Sequence, residues 1–264
     1  MSQGQKPKNF NMKKLTLEND FNIRMNLGID YKSMTGWCVE NENHPALSHQ
    51  EDGIQVPNQF SDTLRSYVRG ATEGSNPDEH DCIDDEQSKE IQFYQTYNPF
   101  TFGIPCFADL YWALNKFFYE HDQVKEAGEP YYIHGWFNVY HSKVGEEGYD
   151  HIPWHRHLHT LHPHIYHGFY CANVQPSETW YRYSAQSPEE DIVKIPDYDD
   201  MLIFSQSGYE HCSSAWKGEV PRVTVAFDIM PESVYLGLQE IGDSDYHWSL
   251  DSKQYQAIPF PYLP

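Results

Sequence analysis

A chain of 264 residues with a formal charge of −21 has 39 Asp and Glu against 18 Lys and Arg. That balance disfavours direct nucleic-acid binding, which works by basic side chains releasing counterions from phosphates; as a rule it marks a solvated, self-repelling surface. With 39% hydrophobic and 16% aromatic residues the chain can still build a core, which excludes complete disorder. The amino terminus MSQGQKPKNFNMKKL is basic without the apolar stretch of a signal peptide, and nowhere is there an apolar run of about 18 residues. The odd set of Cys38, Cys82, Cys106, Cys171 and Cys212 contains no CxxC pair and reads as reduced thiols of a cytoplasmic protein with no membrane partner.

In chain order, residues 1–85 read as an N-terminal extension, partly helical or loose. Within it, residues 58–70 have Phe60, Leu64 and Val68 at helical spacing, with Gly70 as a stop. The acidic stretch 71–90, punctuated by Gly, Pro, Ser and Asn, reads as an exposed loop. Residues 86–264 form the second unit. There, 106–121 is the strongest helix, because Leu110, Leu114, Phe117 and Phe118 fall on one side and require a sheet to cover them. After the turn at Gly128–Pro130, aromatic and β-branched runs at 131–142, 168–174, 201–204 and 221–229 read as strands. Short strands at even spacing point to a barrel or jelly roll. The tail from Ser233 is rich in Tyr, Trp and Pro and receives no role.

Histidine is concentrated between Asp150 and His167, which holds His151, His155, His157, His159, His162, His164 and His167. A solvated His-rich loop satisfies this pattern, and so does a metal site that uses two of the rings. In the second case His155 and His157 are the leading pair, since residues i and i+2 of an extended strand share a face; His157 with His159 is the alternative. Further on, SQSGYEH reads as a polar turn delivering His211 from the strand 201–204. On the strand beginning at Pro221, Arg222 and Thr224 face away from Val223, Val225 and Phe227. An Arg inside a barrel needs a carboxylate partner, supplied either by a ligand or by one of the chain's own acidic residues.

The segments GWFNV, WHRH, HGFYCANV, DDMLIFSQSGYEH and PRVTVAFDI, in this order and spacing, resemble the iron(II)/2-oxoglutarate-dependent oxygenase superfamily, particularly its prolyl-hydroxylase-like, phage and bacterial members. The resemblance covers residues 131–231. It implies a mainly β fold with flanking helices, a double-stranded β-helix of the jelly-roll or cupin-like kind. It also implies a dioxygenase that hydroxylates a small molecule or peptide, using Fe(II) and 2-oxoglutarate as cosubstrate. Carried over by position, it makes His155 and His211 iron ligands and Arg222 the grip on the distal carboxylate of 2-oxoglutarate, with Thr224 assisting. Tyr170 would join the cosubstrate site and Trp136, Asn138 and Tyr140 the substrate pocket; as core aromatics, the rings among them would serve packing instead.

The superfamily places a carboxylate two residues after its first histidine, and this chain has His157 there. A three-histidine site follows, with a weaker hold on iron. That departure keeps two alternatives in play. One is a cupin-like three-His dioxygenase or isomerase that works without 2-oxoglutarate; the other is a non-catalytic metal-binding β-sandwich module.

Overall fold

The computed structural model describes residues 14–42, 92–94, 98–120, 128–140, 154–156, 164–216, 218–240 and 257–262. The expected helix at 58–70, the acidic loop 71–90, Cys82, His151, His157, His159 and His162 lie outside them. The strands are β1 (Phe21–Met25), β2 (Gln92–Tyr94), β3 (Tyr131–Tyr140), β4 (Tyr166–Asn173), β5 (Glu178–Arg182), β6 (Val193–Pro196), β7 (Met201–Gln206), β8 (Glu210–Ser213), β9 (Arg222–Pro231) and β10 (Ile258–Pro259). The helices are the single turn α1 (Leu17–Asp20), then α2 (Tyr31–Asn41), α3 (Pro105–Tyr119) and α4 (Glu232–Glu240).

The large antiparallel sheet runs β1-β7-β4-β9-β3-β10, with β2 also paired to β3, and the small one runs β6-β5-β8. His155 joins the small sheet by an antiparallel bridge to His211. From β3 onward the chain therefore changes sheet repeatedly. β3 is large, His155 small, β4 large, β5 and β6 small, β7 large, β8 small and β9 large.

Period-2 alternation divides the large sheet between two cores. Phe137, Tyr166, Tyr170, Phe204, Val225 and Phe227 pack with Phe107, Leu110, Leu114 and Phe118 of α3 and with Met34 and Cys38 of α2. The opposite face carries Trp136, Phe169, Ile203 and Ala226 against Tyr181 and Ile195 of the small sheet. Three layers result, helices on sheet on sheet. The expected apolar side of α3 is the buried one. Phe118 lies 5.3 Å from Tyr131 and 5.1 Å from Tyr166, ring to ring. Pro105 opens the helix, where its missing N–H costs no internal bond.

Gly168 shows how tightly the sheet is packed. A Cβ there would come within 2.3 Å of the Ile203 carbonyl oxygen and 2.6 Å of the Phe204 Cβ.

Elements from the first 85 residues pack onto the large sheet. β1 pairs with β7 from Phe21↔Ser205 to Met25↔Met201, and α2 supplies core residues. The carboxylate of Asp200 ties the two together, accepting from the Gly28 N–H at 2.8 Å and the Tyr170 hydroxyl at 2.8 Å. Residues 257–262 are also built in. Phe260 is fully buried, and Tyr111 and Asn115 of α3 donate to the carbonyls of Pro259 and Pro261 at 2.9 and 3.0 Å. No helix among the described residues is long and apolar enough to cross a membrane. The four described cysteines are buried free thiols.

Candidate active site between the sheets

A cavity of about 50 Å³ opens between the two sheets. The large sheet lines it with Trp136, Asn138, His167, Phe169, Arg222, Thr224 and Ala226, and the small sheet with Thr179, His211, Cys212 and Ser213; His155 completes it. Six residues expected at a site are thus brought together: His155, His211, Arg222, Thr224, Trp136 and Asn138.

The histidine pair is positioned by backbone. His155 and His211 exchange both N–H···O=C bonds, at 2.9 and 2.8 Å, which brings their rings to 4.2 Å between centroids. His211 does not hang from a polar turn, as its surroundings led one to expect. It sits in β8, opposite Tyr181 of β5, because the short run EHCS finds a sheet edge to pair with. Its burial, and then the neighbouring His155 and His167, hold its pKa well below the usual 6.5. A neutral imidazole is the form that can ligate a metal.

The segment carrying His155 is held from the side. The Trp154 ring lies over the Arg182 guanidinium at 4.3 Å, and Arg182 Nε donates to Glu210 Oε2 at 2.7 Å. Trp154 and Glu210 each immediately precede one histidine of the pair, so Arg182 links the two backbones that present them.

A third imidazole lies beside them. The His167 ring stacks on His211 at 4.9 Å and 21°, and its Nδ1 is 2.8 Å from Asp228 Oδ1. Asp228 stands opposite His167 on one side and His134 on the other in the sheet register. With its Nδ1 turned to Asp228, the His167 ring packs flat against His211 and helps to hold that ring in place. Among the described residues no three His, Cys, Asp or Glu side chains form a group able to hold a metal. The expected third ligand, His157, lies outside those residues.

Arg222 is 4% exposed and already has a protein carboxylate. Its Nη2 donates to Asp197 Oδ2 at 3.1 Å and its Nε to Ser177 Oγ at 3.3 Å. Sequence reasoning allowed for such a partner without finding it. Beside the Arg, Asn138 Nδ2 donates to Thr224 Oγ1 at 3.2 Å, which leaves the Thr224 hydroxyl hydrogen to point elsewhere. Asn138 Oδ1 is buried with no partner among the described residues, an acceptor that a polar ligand or water would satisfy.

Two expected residues are not in the cavity. Tyr170 faces the helices, since it belongs to the other parity of β4 from His167 and Phe169; its hydroxyl is bound to Asp200, and burial raises its pKa far above 10. Tyr140 is buried opposite Arg222 at the end of β3 but does not line the cavity. Ser177, Thr179, Asp197, His167 and Asp228 were not singled out from sequence. Only His167 left a trace there, as a member of the histidine-rich segment.

No protein-family model matches the chain, and no curated protein matches it in sequence. Among solved structures it is similar to SnoN, a non-haem α-ketoglutarate-dependent epimerase from nogalamycin biosynthesis. The TM-score is 0.50 at 9% identity, covering 81% of this chain and 80% of that one. It is also similar to HygX from Streptomyces hygroscopicus, solved with nickel and 2-oxoglutarate bound (TM-score 0.45, 11% identity, 82% and 85% covered). A third is a Pseudomonas putida prolyl-4-hydroxylase (TM-score 0.41, 10% identity, 82% and 95% covered). At such identities the likeness is one of fold, and the chain shares its fold with a 2-oxoglutarate-dependent non-haem enzyme.

Proposed function

We propose that this protein is a non-haem iron(II)/2-oxoglutarate-dependent dioxygenase with a double-stranded β-helix core, and that it hydroxylates a small molecule or peptide. The observation that carries this reading is the meeting of His155, His211 and Arg222 in one cavity, brought there by three separate pieces of backbone, the bridge at His155, β8 and β9. The repeated change of sheet along β3–β9 supports the β-helix, and the similarity to SnoN supports the class.

The residues fit the two groups the class requires. His155 and His211 offer nitrogen donors from backbones locked to each other, and His157 is the proposed third ligand. Arg222, with Thr224 beside it, offers hydrogen bonds to a carboxylate of 2-oxoglutarate. When bound, iron and 2-oxoglutarate together supply the activation of dioxygen that this chemistry needs. The chain's part is to hold the ligands still, to present Arg222 at a fixed distance from the histidine pair, and to keep water away with Trp136, Phe169 and Ala226. Asn138 Oδ1 is available to accept a hydrogen bond from the substrate.

One observation favours a second reading, a three-His dioxygenase or isomerase independent of 2-oxoglutarate: Arg222 is already neutralised by Asp197. The two readings part on a single assay. Purified protein with Fe(II), 2-oxoglutarate and oxygen should convert 2-oxoglutarate slowly to succinate and carbon dioxide even without substrate. Absence of succinate, with iron bound stoichiometrically, would favour the second.

A further inference from the structure

The guanidinium of Arg222 has five N–H donors arranged along two edges, Nε with Nη2 and Nη1 with Nη2. The first edge is taken. Nε reaches Ser177 Oγ and Nη2 reaches Asp197 Oδ2. The acceptors are themselves fixed, since Ser177 Oγ donates to the same Asp197 Oδ2 at 2.7 Å and Thr179 Oγ1 donates to Asp197 Oδ1 at 2.9 Å. The Asp197 backbone N–H donates to the Ser177 carbonyl at 3.0 Å. The carboxylate of Asp197 has no solvent exposure. Arg222 and Thr179 line the cavity, whereas Asp197 and Ser177 stand behind them. Nη1 has no hydrogen-bond partner among the described residues.

We propose that Asp197 is a positioning residue for the carboxylate anchor. It holds the Nε–Nη2 edge of Arg222 from behind, so that the Nη1–Nη2 edge meets a ligand carboxylate in the cavity. This rests on the assignment of 2-oxoglutarate as cosubstrate. Because Asp197 neutralises the guanidinium, recognition of the ligand depends on direction more than on net charge, and a guanidinium free to turn would lose it. A buried Arg with its counter-charge removed is also costly, so a carboxylate from solution has reason to take the vacated place.

The test uses the full chain loaded with Ni(II), with metal stoichiometry and the dissociation constant of 2-oxoglutarate measured separately by calorimetry. Asp197→Ala should weaken 2-oxoglutarate binding by about tenfold or more, the scale of a charge-assisted hydrogen bond, with metal stoichiometry unchanged. Formate at millimolar concentration should then act in opposite directions on the two proteins. It should restore 2-oxoglutarate binding in the variant, by filling the space of the lost carboxylate, and weaken it in the wild type, by competing for Arg222. Should Asp197→Ala fail to fold, Asp197→Asn keeps the shape and an acceptor oxygen, and its binding should fall between wild type and zero. A folded variant of either kind with undiminished affinity would overturn the role of Asp197. A wild-type protein that binds Ni(II) but no 2-oxoglutarate would overturn the cosubstrate assignment, and this inference with it.

Discussion

An imidazole closed in on every side loses more from its charged form than from its neutral one, and His211 is so placed beside two further imidazoles. It is therefore held in the neutral form that a metal ligand requires. His211→Ala should abolish stoichiometric binding of a divalent metal, and a folded variant with unchanged affinity would refute its role. Arg222→Lys keeps the charge but not the planar fork, so 2-oxoglutarate should bind at least about tenfold more weakly while metal binding stays intact. Tyr170 is the converse case. Tyr170→Phe should cost about 1–2 kcal/mol by leaving Asp200 one donor short, yet leave metal and 2-oxoglutarate affinities alone; a change in either would return Tyr170 to the site. Alternation along β9 made Arg222 and Thr224 legible, because one face of that strand is plainly apolar. The run YHGFYCAN is buried on both faces and so carries no parity signal. A shift of one residue there moves every side chain to the other layer, so the sequence alone does not separate the layer of Tyr170 from that of His167.

At the level of elements, the long apolar strands and α3 could be read from pattern, whereas the small sheet could not. β5, β6 and β8 are four or five residues long and rich in polar residues, since Thr179, His211 and Ser213 face the cavity while Arg182 and Glu210 pair on the other side. The property that makes these strands useful for a site also removes the hydrophobic signature of a strand. β1 and α2 are not legible from local pattern because their partners, β7 and β4, lie about 125 residues or more downstream. The linkage of Trp154, Arg182 and Glu210 makes a prediction of its own. Arg182→Ala frees the segment bearing His155 and leaves Glu210 buried without its cation. Metal affinity should fall by about ten- to a hundredfold, as is usual when the support of a ligand is removed, while Arg222-dependent recognition of 2-oxoglutarate by the metal-saturated protein persists. Unaltered metal affinity would show that the His155–His211 backbone bridge suffices alone.

For the molecule as a whole, stability rests on two cores sharing one sheet, and each holds phenols that burial keeps protonated. Tyr131 and Tyr170 lie in the helix-facing core and Tyr181 between the sheets, all with pKa raised above 10 chiefly by desolvation. Below pH 10 the folded and unfolded chains hold these protons equally. Above it the unfolded chain releases them and the folded one does not, so stability is fully present below pH 10 and is lost as the pH rises beyond it. Phenolate absorbance should accordingly appear in two steps on alkaline titration, exposed tyrosines first and the buried set together with loss of circular dichroism. A single non-cooperative rise would mean that the cores are open to water.

In the proposed reading the histidine pair and Arg222 act together, one binding iron and the other a carboxylate of the ligand that shares it. Anaerobic titration of the protein with Fe(II), followed by 2-oxoglutarate, tests this most directly. Iron alone should give no visible absorption. A charge-transfer band should then grow to one equivalent of 2-oxoglutarate, absent from His211→Ala and requiring more 2-oxoglutarate in Arg222→Lys. Stoichiometric iron binding with no band at any 2-oxoglutarate concentration would contradict that reading.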